Sequence, residues 1–194
     1  LLMAVAECVS SASRNSRGTS PRAGSSTSPH VATLRPLAFL LLLAWGSVGV
    51  VTPQDAHAQI VASPQAPGAQ QATVLQTANG LPLVNIQTPN AAGVSRNVYQ
   101  RFDVGTPGAV LNNARASVQT QSAGWVQGNP WLARGTARVI LNEVDSSHPS
   151  FLRGHVEVAG DRAQVVIANP AGVSCEGCGF LNAHRVTLAA GQAT

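Results

Sequence analysis

The sequence predicts an all-β fold, and three observations carry that prediction. Short runs of apolar and β-branched residues alternate with Gly, Pro and Asn from residue 83 onward. No window offers three turns of helical periodicity without a Gly or Pro intruding. Gly (18) and Pro (12) are plentiful in 194 residues, whereas charged residues make up only 10%, well below the roughly 25% of an ordinary soluble domain. Pattern alone leaves two architectures open, a parallel β-helix and a Greek-key sandwich with Asn-rich turns.

Residues 1–58 read as an export signal. Residues 37–51, LAFLLLLAWGSVGVV, form an uncharged apolar run of about 15 residues, short of the roughly 20 that a spanning helix needs. Arg35 precedes it, Ala56-His57-Ala58 follows as a small-x-small site, and cleavage is expected after Ala58. A basic stretch, an apolar stretch and an Ala-x-Ala site are what signal peptidase reads. Passage through the membrane is therefore expected to be transient, by way of the general secretion machinery. The segment before the apolar run is long for a signal, with LLMAVAE leading into a Ser/Arg/Gly/Pro-rich spacer. The chain opens at Leu1 and stops at Thr194 without a terminating element, so both ends are expected to be cut from a longer protein.

Residues 59–73 are Pro/Gln/Ala-rich and are expected to form a flexible leader. The strands expected after it are Leu83–Thr88, Val98–Val104, Ala109–Asn112, Ala137–Val144, Gly154–Ala159, Gln164–Ala168 and Arg185–Ala189. In Val156-Glu157-Val158 the valines share one face, and Val186-Thr187-Leu188 repeats the pattern. Val165-Val166-Ile167 is continuous and suits a strand covered on both faces. Three runs end in Asn: at Asn112-Asn113, Asn142 and Asn169. Asn tolerates the left-handed conformation and bonds nearby backbone, so it suits corners, and stacked Asn side chains can bond one another. The spacing, 29 residues from Asn113 to Asn142 and 27 from Asn142 to Asn169, is too irregular to prove a repeat.

Charge excludes nucleic acid as a partner. The formal net charge is +4, but it is divided. Arg14, Arg17, Arg22 and Arg35 oppose Glu7 and Asp55 in the first 58 residues, and eight Arg oppose six acids in the remainder. No basic cluster exists to grip a phosphate backbone, and aromatics are too few to stack bases.

Four blocks carry a resemblance. Asn90 to Val104, NAAGVSRNVYQRFDV, resembles the opening of the filamentous-haemagglutinin-like two-partner secretion domain through Asn90, Gly93, Ser95, Asn97, Tyr99 and Phe102. Asn129-Pro130-Trp131-Leu132 is similar to that family's first Asn-Pro motif, usually Asn-Pro-Asn-Leu. ARVILNEVDSS, residues 137–147, matches the strand leading onward. Asn169-Pro170-Ala171-Gly172, with the Cys-x-x-Cys-Gly-Phe that follows, looks like the second Asn-Pro motif. The resemblance covers residues 74–194 in family order, and LLMAVAE is similar to the end of the extended signal found on such proteins. Trp131 and Ala171 depart from the pattern, standing where Asn is usual.

The resemblance implies a right-handed parallel β-helix with an N-terminal cap and extra-helical strands. It implies the leading domain of a large Gram-negative exoprotein, an adhesin or a contact-dependent growth-inhibition toxin, secreted or held at the cell surface. The implied partner is a dedicated outer-membrane β-barrel transporter, which reads the domain through its periplasmic polypeptide-transport-associated domains. Folding outside the cell would then be seeded by this domain. No cofactor and no metal are implied, and catalysis is not expected of these residues.

Other chemistry is weaker. For Cys175 and Cys178 a local disulfide is the first reading in an oxidising compartment, with free thiols during translocation next. A zinc site would need two more ligands with only His184 near, and a redox role lacks a βαβ context. Asp145-Ser146-Ser147-His148 reads as a solvated turn rather than a triad. The Asn-Pro motifs read first as structural turns and second as transporter contacts. Trp125 and Trp131 are expected as core or cap residues rather than ligand platforms. A polysaccharide-acting β-helix enzyme would need clustered carboxylates, and only Glu143 and Asp145 are near neighbours. A glycan-binding adhesin module is a further alternative.

Overall fold

Alternating inward and outward side chains over short runs give fourteen strands in the described residues, 59–191, of a computed structural model. The expected export signal and its cleavage site after Ala58 lie outside the described residues. The strands are β1 (Ile60–Ala62), β2 (Thr73–Gln76), β3 (Pro82–Asn85), β4 (Val94–Phe102), β5 (Ala109–Asn113), β6 (Val118–Thr120) and β7 (Gly124–Val126). They continue as β8 (Val139–Val144), β9 (Ser150–Leu152), β10 (His155–Gly160), β11 (Ala163–Ala168), β12 (Val173–Cys175), β13 (Gly179–Leu181) and β14 (Ala183–Ala189). Two 3-10 turns, Gly68–Gln70 and Pro130–Leu132, are the helical elements among the described residues.

Two five-stranded sheets hold most of the chain, one in the order β1-β4-β8-β11-β14 and the other β13-β10-β5-β3-β2. A third strip pairs β9 with β12, and β6 with β7 form a hairpin of their own. From β3 onward the chain visits the second sheet, then the first, then the third strip, and returns. The first pass is β3 and β4, after which Val104 bridges in parallel to Leu152. The second pass is β5, β8 and β9, the third β10, β11 and β12, and the fourth β13 and β14. Every pairing between passes is parallel: β3–β5, β5–β10, β10–β13, β4–β8, β8–β11, β11–β14 and β9–β12. A Greek-key sandwich is antiparallel, so that alternative falls.

Register keeps one residue type over the same type. Val84 lies beside Leu111, and Leu111 beside Val158. Ile140 lies beside Val165. With Tyr99, Phe102, Val104, Val144, Leu152, Val156 and Ile167 these side chains form one core enclosed by the strips. A second, smaller cluster of Leu83, Val110, Ala123, Val126 and Ala159 lies on the outer face of the second sheet, beneath the β6–β7 hairpin.

The two ends of the sheets differ. On the side of the first pass, β1 runs antiparallel along β4, with a register irregularity between Val61 and Ala62, and β2 runs antiparallel along β3. On the opposite side, β13 and β14 pair in parallel onto β10 and β11, so each sheet is antiparallel at one end and parallel at the other.

Three expectations are corrected. The leader 59–73 is not free of structure, because β1 pairs with β4, Ile60 is buried, and Gln71 ties the segment back to Ala66. Its lack of charge lets it lie against the sheet as well as away from it. The run Val165-Val166-Ile167 is covered on one face, with Val166 only half-buried between two buried neighbours. The Asn residues at the run ends do not adopt the left-handed conformation; Asn182 alone among non-Gly residues does so in the described residues. Asn142 sits within β8, and Asn169 precedes a proline, which disfavours helical backbone there.

Candidate functional site

The opening block builds a corner. Asn90 Oδ1 accepts from the amides of Ala92 and Val94, which closes a turn in which Gly93 has φ of 75°. The positive φ favours glycine there, whereas a side chain at this position would only displace the flexible end of Arg138. β4 then places Ser95, Asn97, Tyr99 and Phe102 inward, all buried. Ser95 Oγ donates to the carbonyl of Gln87 at 2.7 Å, and Asn97 Oδ1 accepts from its amide at 2.8 Å. Asn97 therefore holds the link between β3 and β4, and its Nδ2 reaches Ser95 Oγ at 3.1 Å. Tyr99 packs edge-on against Phe102 with ring centroids 4.9 Å apart, and its hydroxyl donates to Asn142 Oδ1 at 3.0 Å. Burial pushes the Tyr99 phenol far above its ordinary range, so it remains a neutral donor.

The first Asn-Pro motif closes on the same corner. Asn129 is 3% exposed. Its Oδ1 accepts from the amide of Trp131 at 3.0 Å, spanning Pro130, and its Nδ2 donates to the carbonyls of Ile86 at 2.8 Å and Asn112 at 3.0 Å. Thr88 Oγ1 donates to the carbonyl of Trp131. Residues 86–88 are thus gripped by Ser95 and Asn97 from one side and by the Asn129 turn from the other. Leu132 anchors the turn in the core, while Pro130 faces outward.

The second motif repeats this geometry elsewhere. Asn169 is fully buried; its Oδ1 accepts from the amide of Ala171 at 2.9 Å, and its Nδ2 donates to the carbonyl of His148 at 2.9 Å and to Ser150 Oγ at 3.0 Å. Pro170 and Ala171 are exposed, and Gly172 has φ of 106°. Each Asn therefore turns its own pass and ties it to the preceding one. The motifs do not converge: Asn129 works at the corner between the second and first sheets, Asn169 at that between β11 and β12.

Both departures from the family pattern are harmless to this geometry, because Trp131 and Ala171 contribute their backbone amides. Trp131 is 44% exposed and Trp125 is 71% exposed, which corrects the expectation that they fill the core or a cap. Trp131 lies two residues after the buried Asn, half in solvent, its indole donating to Thr73 Oγ1 at 3.3 Å; Trp125 is exposed on the hairpin.

Cys175 and Cys178 form a disulfide, with Cα atoms 5.3 Å apart, in the link between β12 and β13. His148 sits exposed in its turn, where its amide donates to Ser146 Oγ, and His155 and His184 are exposed on strands. The acids have partners. Glu143 pairs with Arg96, Asp103 with Arg101, and Asp145 accepts from Ser63.

Sequence reading missed the role of Glu157 and the partners of Asn112 and Asn113, though it expected stacked Asn side chains to bond one another. Asn112 Nδ2 donates to Asn85 Oδ1 across neighbouring strands at 2.8 Å, and Asn113 bonds Ala137 through both its side-chain atoms. The doubled Asn was the available signal, but the excursion between them and Ala137 hid their partners.

The family model for the TPS secretion domain matches residues 58–194. The chain is 54% identical over 193 residues to a protein called Toxin CdiA from Yersinia pestis, covering 100% of this chain and 6% of that protein. It is 47% identical over 183 residues to tRNA nuclease CdiA-2 from Burkholderia pseudomallei (strain 1026b), covering 94% of this chain and 6% of that protein. A crystal structure of a filamentous hemagglutinin secretion domain aligns with a TM-score of 0.60 at 41% identity, covering 66% of this chain and 41% of that one. The chain thus spans a small part of these two curated relatives. It belongs to the TPS secretion domain family, the two-partner secretion domain of CdiA-type and filamentous-haemagglutinin-type exoproteins.

Proposed function

We propose that residues 59–194 target a large exoprotein to a dedicated outer-membrane β-barrel transporter and then seed its folding outside the cell. In this reading the parallel passes are coils of a right-handed parallel β-helix, and residues 1–58 carry the chain across the inner membrane before cleavage after Ala58. The observation that supports the reading is the parallel stacking of successive passes in a chain of the TPS secretion domain family, with antiparallel strands at the first-pass end. Antiparallel β1 and β2 cover β4 and β3 on the side of the first pass, and such short edge strands discourage off-pathway strand addition. β13 and β14 join by parallel pairing onto β10 and β11, the mode in which each later pass adds to the one before it.

Recognition is assigned to the transporter's periplasmic polypeptide-transport-associated domains, acting on the chain before it folds. A charge-poor, β-rich chain is suited to pair with a strand edge of such a domain. Asn129 and Asn169 act as turn residues after folding, since both are buried and their polar atoms are bonded within the chain. The Cys175–Cys178 bond is completed in the oxidising space beyond the inner membrane. Toxicity or adhesion of the longer protein belongs to sequence beyond these residues. The carboxylate pair that a polysaccharide-acting enzyme would use, Glu143 and Asp145, is occupied by Arg96 and Ser63, which disfavours that alternative.

Binding tests the partner directly. The chain, kept unfolded in dilute denaturant, is passed over the transporter's immobilised periplasmic domains. Retention above that of an unrelated unfolded chain of equal length is the expected result, and equal retention overturns the partner assignment.

A further inference from the structure

We infer that the β6–β7 hairpin is a strap that closes only after the third pass is in place, with Glu157 as its latch. This goes beyond the secretion reading and holds whether or not a transporter is involved. The hairpin leaves the sheets after β5 and lies across the outer face of the second sheet, with Val118, Ala123 and Val126 packed on Leu83, Val110 and Ala159. Two strands of three residues have little stability alone. They need a floor and a fastening, and much of both comes from sequence made later.

The fastening is the Glu157 carboxylate, which sits in β10 and is almost fully buried. Oε1 accepts from the amide of Gln121 at 2.7 Å. Oε2 accepts from the amide of Ser122 at 2.8 Å and from its hydroxyl at 2.6 Å. One residue thus satisfies three donors at the hairpin tip, 35 and 36 positions earlier in the chain, through charge-assisted bonds. The floor residue Ala159 comes from the same strand, two positions on and on the same face. Earlier sequence supplies a single tip bond, from the exposed Asn79 side chain to the carbonyl of Ser122 at 2.8 Å. Before β10 pairs with β5, the hairpin therefore lacks part of its floor and three of these four tip bonds. The register Glu157 beside Val110 is what brings the carboxylate under the tip. A chain laid down pass by pass would accordingly carry an open strap until its third pass arrived, and closing it would tie passes two and three together.

Hydrogen exchange read by mass spectrometry tests this on the purified chain. In pulse-labelled refolding, amides of residues 118–126 should gain protection no earlier than those of residues 155–160. Protection of the hairpin first overturns the inference. At equilibrium, Glu157→Gln keeps the shape and one acceptor oxygen but removes the charge, and should speed exchange in residues 118–126 by about tenfold or more. Exchange in β4, β8 and β11 should stay unchanged. Unaltered hairpin exchange, or equal acceleration in all strands, overturns the latch. Ser122→Ala, which removes one of the three bonds, should give a smaller effect in the same segment, and an effect as large as that of Glu157→Gln counts against the carboxylate as the common acceptor.

Discussion

Tyr99 shows how one buried hydroxyl governs a measurable property. Its phenol is raised by burial in the folded state, whereas in the unfolded chain it titrates near 10.0. Below that pH both states hold the proton and stability is flat. Above it the unfolded chain binds fewer protons, so stability falls as pH rises. The chain has one Tyr and no Lys, and Cys175 and Cys178 are bonded, which leaves Tyr99 as the side chain within residues 59–194 to cause this. Tyr99→Phe should abolish the alkaline loss seen in urea melts at successive pH values. At neutral pH it should cost about 1–3 kcal/mol, because Asn142 Oδ1 loses its donor. Asn169→Ala removes three hydrogen bonds in a fully buried turn and should cost about 2–4 kcal/mol. Trp131→Asn, which keeps the backbone amide that Asn129 needs, should change stability by less than about 0.5 kcal/mol. Asn129 and Asn169 were legible because an Asn before a Pro dictates local geometry. The exposure of Trp125 and Trp131 was not, because it depends on which face a distant strand covers.

The long strands were legible by alternation and by their Gly, Pro and Asn boundaries, as at Ala109–Asn113 and Val139–Val144. The short ones were not. β9 has three residues and β12 ends in a cysteine, so neither presents a period to read; both exist because a parallel neighbour fixes them. β1 was hidden by its Pro- and Gln-rich surroundings and is placed by β4. The Cys175–Cys178 bond acts at this scale, as a clip on the link between β12 and β13. It closes a loop of four residues, so its stabilisation is about 2 kcal/mol at most. Replacing both cysteines by serine should lower stability by no more than that in urea melts. Exchange should rise in residues 173–181 and stay constant in β4 and β8.

For the whole molecule, the parallel pairing of successive passes was not legible, because strand order depends on contacts between residues 20 or more positions apart, as between Ala163 and Ala183. Residue motifs supplied what periodicity lacked, since the Asn-Pro turns and the opening block mark the corners. Antiparallel strands at the first-pass end and parallel stacking after it give the molecule a direction, which suits the proposed seeding of folding. The most direct test places residues 1–194 in cells with and without the cognate outer-membrane transporter and measures the chain in the medium. The account predicts release only where the transporter is present, with the chain held or degraded in the periplasm where it is absent. Equal release from both strains would contradict it.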